Sequence, residues 1–263
     1  NSCERTPSPC ADLAEAMSCP AGFELGATTR GQVNPQSCML ENEICECVES
    51  NPLEIKSIGR HSDLTYDSNR GTIWLSAYVE DFGDLVVGQV GAENNISWQW
   101  VDGVPSDAPV TAAPSGPRGG VSMAGTNVGQ YSSIAIASDA SLHIAYMDLD
   151  QNSLKYAFGT RSEDGVYSWS IMTLDGGGAI GTNLDDRSAD EGAGWWTDIT
   201  LDQLGRPCIV YRALQQQEAE STLTSSVRFI TALEAQPSTN MAWGTPQELH
   251  TVTAPENLMS LGY

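Results

Sequence analysis

The chain has 263 residues, 40% hydrophobic and 17% charged, enough for one large all-β domain or two smaller domains with a buried core. Its 34 acidic and 12 basic side chains leave a formal net charge of -22, and Lys56 and Lys155 are its only lysines. That balance argues against a nucleic-acid binder, which needs Lys and Arg against phosphate, and no apolar run reaches the roughly 20 residues that span a bilayer.

The first fifty residues hold Cys3, Cys10, Cys19, Cys38, Cys45 and Cys47, while Cys208 stands alone. Clustered cysteines in a chain that starts at Asn1, with no apolar leader, read as a disulfide framework in a processed, exported protein. The rival zinc site lacks a C-x-x-C pair and a nearby histidine. The pairing stays open. A short helix is expected in "PSPCADLAEAMSCP", with Leu13, Ala14 and Met17 on one face. Residues 1–52 are therefore read as a small disulfide-rich module that depends on its bridges.

From residue 53 the chain repeats. Gly59, Gly129 and Gly194 align, at spacings of 70 and 65 residues. Three strand-like segments follow each glycine in parallel: "SDLTY", "SSIAI" and "TDITL"; then "LSAY", "HIAY" and "CIVY", ending in Tyr78, Tyr146 and Tyr211; then "DLVVGQ", "SLKYAF" and "SVRFIT". Each unit closes on a tryptophan run, with Trp98 or Trp100, Trp169 and Trp243. Four short strands per repeat define an all-β fold of β-propeller blades, each of four antiparallel strands. A sandwich would not require repetition, and a solenoid repeat would be shorter. The repeats run approximately over 58–127, 128–192 and 193–260. A fourth starts at 261–263, where Gly262 follows Gly194 by 68 residues. At least three blades are expected, in a ring that this chain does not close alone. The remainder of the propeller, missing or cleaved, is the favoured completion; another chain is the alternative.

On these residues, "GQYSSIAIASDASLHIAYMDLDQNSLKYA" above all, the chain resembles the tandem β-propeller repeats of bacterial secreted and surface proteins. They form a sialidase-like or BNR-like group with an "HIAYxD…LKYA" core. The resemblance covers about residues 55 to 263 and implies fold and location rather than activity. The sialidase Asp box is only approached by "SEDGVYSW" at 162–169, and no motif gathers Arg60, Arg206, Arg212 and Arg228.

Five features are candidate sites. Asp148, Asp150 and Asn152 alternate as in the start of a calcium loop, but lack its glycine and its closing acid. A hairpin tip that favours Asp and Asn explains them equally. "DDRSADEGAG", with Asp185, Asp186, Asp190 and Glu191, reads as a solvated acidic connection, and "VDGVPSDAPVTAAPSGPRGG" as a long surface loop suited to a partner. His143 and Cys208 occupy matching strand positions, which favours packing over a catalytic pair. Trp195 and Trp196 offer a sugar platform, with blade packing preferred.

The reading is a secreted, periplasmic or cell-surface protein that acts by binding or assembly and not as an enzyme. Its partners would be proteins or the rest of its propeller. No cofactor is required, calcium excepted. A carbohydrate-binding, lectin-like propeller or a diverged glycoside hydrolase is the alternative.

Overall fold

A computed structural model of the chain describes residues 18–29, 32–33, 40–41, 44–50, 53–113, 116–163, 165–180, 191–217 and 222–255. It divides into two compact units: residues 1–57 with 104–125, and residues 58–103 with 126–263. The expected helix around Leu13, Ala14 and Met17, together with Cys3, Cys10, Cys38 and the fourth-repeat start at 261–263, lies outside the described residues.

The first unit is built on β1 (Phe23–Thr29) and β4 (Ile44–Glu49), paired antiparallel, with the two-residue strands β2 (Gln32–Val33) and β3 (Leu40–Glu41) paired between them. A Cys19–Cys47 disulfide ties the approach to β1 to the middle of β4, and Cys45 is disulfide-bonded as well. The long connection 104–125 belongs here rather than with the repeat that contains it. Val110 N–H donates to the Thr28 carbonyl at 3.1 Å, and Ala112 bridges Glu49 in parallel. Ala108, Val110 and Val121 form a small apolar cluster with Leu25, Cys45 and Val104. So few strands bury little area, and two covalently linked pieces plus an inserted apolar loop supply what a lone module lacks. The Pro- and Ala-rich run read as a partner loop thus serves as part of this unit's core.

Among the described residues, the second unit holds three consecutive sheets, each a four-stranded antiparallel meander. The first blade is β5 (Ile58–Asp67), β6 (Thr72–Val79), β7 (Asp84–Val90) and β8 (Ile96–Asp102). The second is β9 (Val128–Ile136), β10 (Leu142–Asp148), β11 (Ser153–Arg161) and β12 (Tyr167–Asp175). The third is β13 (Gly192–Leu201), β14 (Pro207–Gln217), β15 (Thr222–Thr231) and β16 (Gln247–Pro255). The first strand of each blade packs on the first strand of its neighbour, β5 on β9 and β9 on β13. This is the blade architecture expected from the repeat.

Two apolar cores fill the junctions. Between the first two blades, Trp74, Leu85 and Val87 meet Ile134, Ile144 and Tyr146. Between the second and third, Leu154, Tyr156 and Phe158 meet Ile199, Ile209 and Tyr211. A sheet residue points to one neighbour or the other by strict alternation. Both faces of the middle blade are therefore consumed.

One expected alignment is corrected. Tyr78 is not the counterpart of Tyr146 and Tyr211. Ala77 faces Val86 across its hairpin as Tyr146 faces Lys155 and Tyr211 faces Arg228. Leu64 faces Leu75, eleven positions on, whereas Ile134 faces Ile144 and Ile199 faces Ile209, ten positions on, and a slip of one residue turns a side chain to the opposite face. Tyr78 therefore points to the second blade, where its hydroxyl donates to Asn127 at 2.8 Å.

Candidate functional site: the blade junctions

The first strand of each blade opens with the same backbone device. Gly59, Gly129 and Gly194 have φ between 103° and 109°. Two residues on, His61, Tyr131 and Trp196 have φ of 52°, 53° and 49°, a left-handed conformation disfavoured for rings. Register shifts in all three blades mark a β-bulge at this point. Bulges re-aim side chains, and here they aim three rings at one another. The ring centres of His61 and Tyr131 lie 4.5 Å apart and those of Tyr131 and Trp196 5.2 Å apart.

The next residues stitch blade to blade. Ser132 donates its hydroxyl to the His61 carbonyl at 2.7 Å, and Thr197 does the same to the Tyr131 carbonyl. One position further, Asp63 accepts from the Ile134 N–H at 3.0 Å, and the Ser133 hydroxyl accepts from the Ile199 N–H at 3.2 Å. The glycines permit the close approach: a Cβ on Gly129 would stand 2.9 Å from the Leu85 Cα, and one on Gly194 3.1 Å from the Leu154 Cα. The whole device reads as G-x-aromatic-hydroxyl-acceptor in "GRHSD", "GQYSS" and "GWWTD". The glycines and the rings stand out in the sequence, whereas the residues after them read as ordinary strand. The recurring Ser or Thr after each ring is the signal that marks the stitch.

A second stitch joins the end of each blade to the next. Asp102, at the end of β8, accepts from the Tyr146 hydroxyl at 2.8 Å and pairs with Lys155. Asp175, at the end of β12, accepts from the Tyr211 hydroxyl at 2.7 Å and pairs with Arg228 at 3.0 Å. Arg228 is fully buried and also reaches Glu248. Burial and the neighbouring carboxylates hold Tyr146 and Tyr211 well above an ordinary tyrosine, so both remain donors.

The acidic hairpin is pulled three ways. Asp148 is buried, accepts from the Gln151 N–H at 2.9 Å and lies 3.7 Å from Lys155. Burial raises its carboxyl above the usual range against the pull of those two groups. Asp150 instead accepts from the Asn127 N–H at 2.9 Å, and Asn152 takes the left-handed turn position at φ 45°. These are hairpin duties, and among the described residues no three His, Cys, Asp or Glu side chains gather as a metal site. In the other acidic connection, Asp185, Asp186 and Asp190 lie outside the described residues, and Glu191 accepts from the Gln216 N–H.

His143 is buried, bonded to Tyr156 at 2.6 Å, and desolvation pushes it down to about 4. Cys208 is a free thiol in the third blade, beside Arg206 and Thr231. The four arginines also disperse: Arg60 pairs with Glu80, Arg206 with Asp202, Arg228 with Asp175, and Arg212 lies 5.4 Å over the Trp196 ring. A polar groove of about 480 Å³ runs between the second and third blades, with Asp139, Asp202, Gln203 and Gln236 on its walls and no aromatic ring.

No family model matches the chain, and no similarity to a curated protein sequence is found. Among solved structures, it is similar to a mutant of the Aleuria aurantia lectin in complex with α-methyl-L-fucoside. That match has 12% identity and a TM-score of 0.31, over 78% of this chain and 50% of the lectin. A bifunctional GH43-CE protein of Bacteroides eggerthii matches at 8% identity and a TM-score of 0.31, over 73% of this chain and 31% of that one. The chain thus spans half or less of either protein. At so loose a superposition neither lends it a ligand or a reaction.

Proposed function

We propose that the protein is an extracellular, non-enzymatic β-propeller scaffold that works by assembling with protein partners through its blade faces. One observation carries the reading. The outer faces of the first and third blades leave large apolar side chains in water, among them Leu64, Tyr66, Ile73, Trp196 and Val227. Contiguous exposed apolar surface on a folded sheet marks an interaction site, and the middle blade shows such faces buried by protein. The disulfide fits an oxidising compartment, and the acidic surface keeps open faces soluble before assembly.

The carbohydrate-binding or diverged-glycosidase alternative draws on the polar groove at Asp139 and Asp202. The two readings part in one experiment. The native protein is cross-linked through its carboxylates and isolated, while the same preparation is applied to a glycan array. Scaffolding predicts cross-links from the first or third blade to a protein, lost in Leu64→Asp, and a silent array. Glycan binding lost in Asp202→Ala, without such cross-links, would overturn it.

A further inference from the structure

We infer that the open face of the third blade is covered by the first blade of a second copy of this chain, and the reverse, so that two copies close head to tail through two identical junctions. The inference deepens the assembly reading above and rests on it.

The two open faces are the two halves of one junction. A junction needs, on the leading blade, a ring with its carbonyl, an acceptor two positions on, and an aliphatic side chain under the next blade's glycine. The third blade leaves these unused as Trp196, Asp198 and Val227, all exposed. Val227 matches Leu85 and Leu154 in register, and those are fully buried. The trailing blade must offer a glycine, a hydroxyl and an outward N–H on an aliphatic residue. The first blade offers Gly59, Ser62 and Leu64. Nothing lies within 4 Å of a Cβ built on Gly59, and Ser62 is exposed. Leu64 is 63% exposed, whereas its counterparts Ile134 and Ile199 are 3% and 5%. In the closed junction, Ser62 donates to the Trp196 carbonyl and the Leu64 N–H to Asp198. Gly59 rests on Val227.

The second stitch selects the first blade as the occupant. Val227 pairs with His250 as Leu85 pairs with Asp102 and Leu154 with Asp175. The third blade therefore presents a histidine where the others present a carboxylate. A blade carrying a tyrosine and a cation, like the second or third, would find no acid there and would bury an unpaired charge. The first blade has Ala77 and Val86 at those two places. Carboxylate and cation are missing together, on opposite sides of the same contact.

Closure also fits the geometry and sets a sign. Two copies of three blades fall within the roughly four to eight blades of propellers, and a two-fold operator uses up both faces. Each copy brings a formal charge of -22. Repulsion opposes the contact, so association should tighten as salt screens it, opposite to an ion-paired interface.

Sedimentation equilibrium of the 263-residue chain tests this. The expected mass is twice 28.1 kDa, with affinity rising between low and high salt. Leu64→Asp and Val227→Asp sit at exposed positions and should each weaken the dimer by about 30-fold or more while leaving the circular dichroism unchanged. Mixing the two variants leaves one intact junction and should yield more heterodimer than either variant yields homodimer. A monomer at every concentration, a mass other than two chains, or a dimer indifferent to both substitutions would overturn the inference. A monomer that still cross-links to a different protein through Leu64 refutes self-closure and leaves the scaffold reading standing.

Discussion

The middle blade and the two end blades share a fold and differ in what their surfaces are asked to do. In the second blade the junction positions of the repeat have partners on both sides: Ser132 and Ile134 look back to the first blade, Ser133 and Leu154 forward to the third. In the first blade the backward-looking set stands in water, and in the third the forward-looking set does. The same residue types are thus core in one place and surface in another. Position in the stack decides which, so equivalent substitutions should have unequal costs.

The largest contrast concerns the buried cation. Arg228→Ala strips Asp175 of its counter-charge inside the junction and should cost about 3–5 kcal/mol, read as a fall in the denaturant midpoint. Lys155→Ala, at the matching but more accessible pair with Asp102, should cost clearly less. Equal losses would mean that depth in the stack does not set the penalty.

The repeat shows how far sequence reached. Gly59, Gly129 and Gly194 were legible because the same positive φ opens the first strand of every blade, and at Gly129 and Gly194 the neighbouring blade also excludes a Cβ. Blade count and strand order followed from them. The face that each side chain takes did not. Tyr78 falls in step with Tyr146 and Tyr211 in the sequence, yet one extra residue in the hairpin between Leu64 and Leu75, relative to Ile134 and Ile144, reverses it. The insertion 104–125 was visible as a long connection, but its membership of the N-terminal unit depends on contacts with β1 and β4 that no local pattern encodes. The partners of the acidic hairpin were hidden for a similar reason. Asp148 and Asp150 are neighbours in sequence, yet the first bonds within its own hairpin and the second bonds Asn127.

The next contrast is apolar. Ile134→Ala removes a side chain packed between the first two blades and should cost about 2–4 kcal/mol. Leu64→Ala changes the same repeat position where it is exposed, and in the monomer should stay within about 0.5 kcal/mol of the parent. Thermal unfolding of dilute samples measures both. A large loss from Leu64→Ala at dilution would show that this face is already covered within one chain.

The smallest contrast is a single hydroxyl. Ser132 donates to the His61 carbonyl and also meets Ser76 Oγ at 2.9 Å, and both serines are buried. Ser132→Ala leaves the carbonyl short of a donor and should cost about 1 kcal/mol. Ser62→Ala removes the matching group from a face in water, where the solvent replaces it, and should leave the dilute monomer unchanged. At concentrations where two copies associate, the same substitution should begin to tell, because Ser62 then has the Trp196 carbonyl to satisfy. A Ser62→Ala variant silent in both regimes would separate the two open faces from the junction chemistry that the middle blade displays.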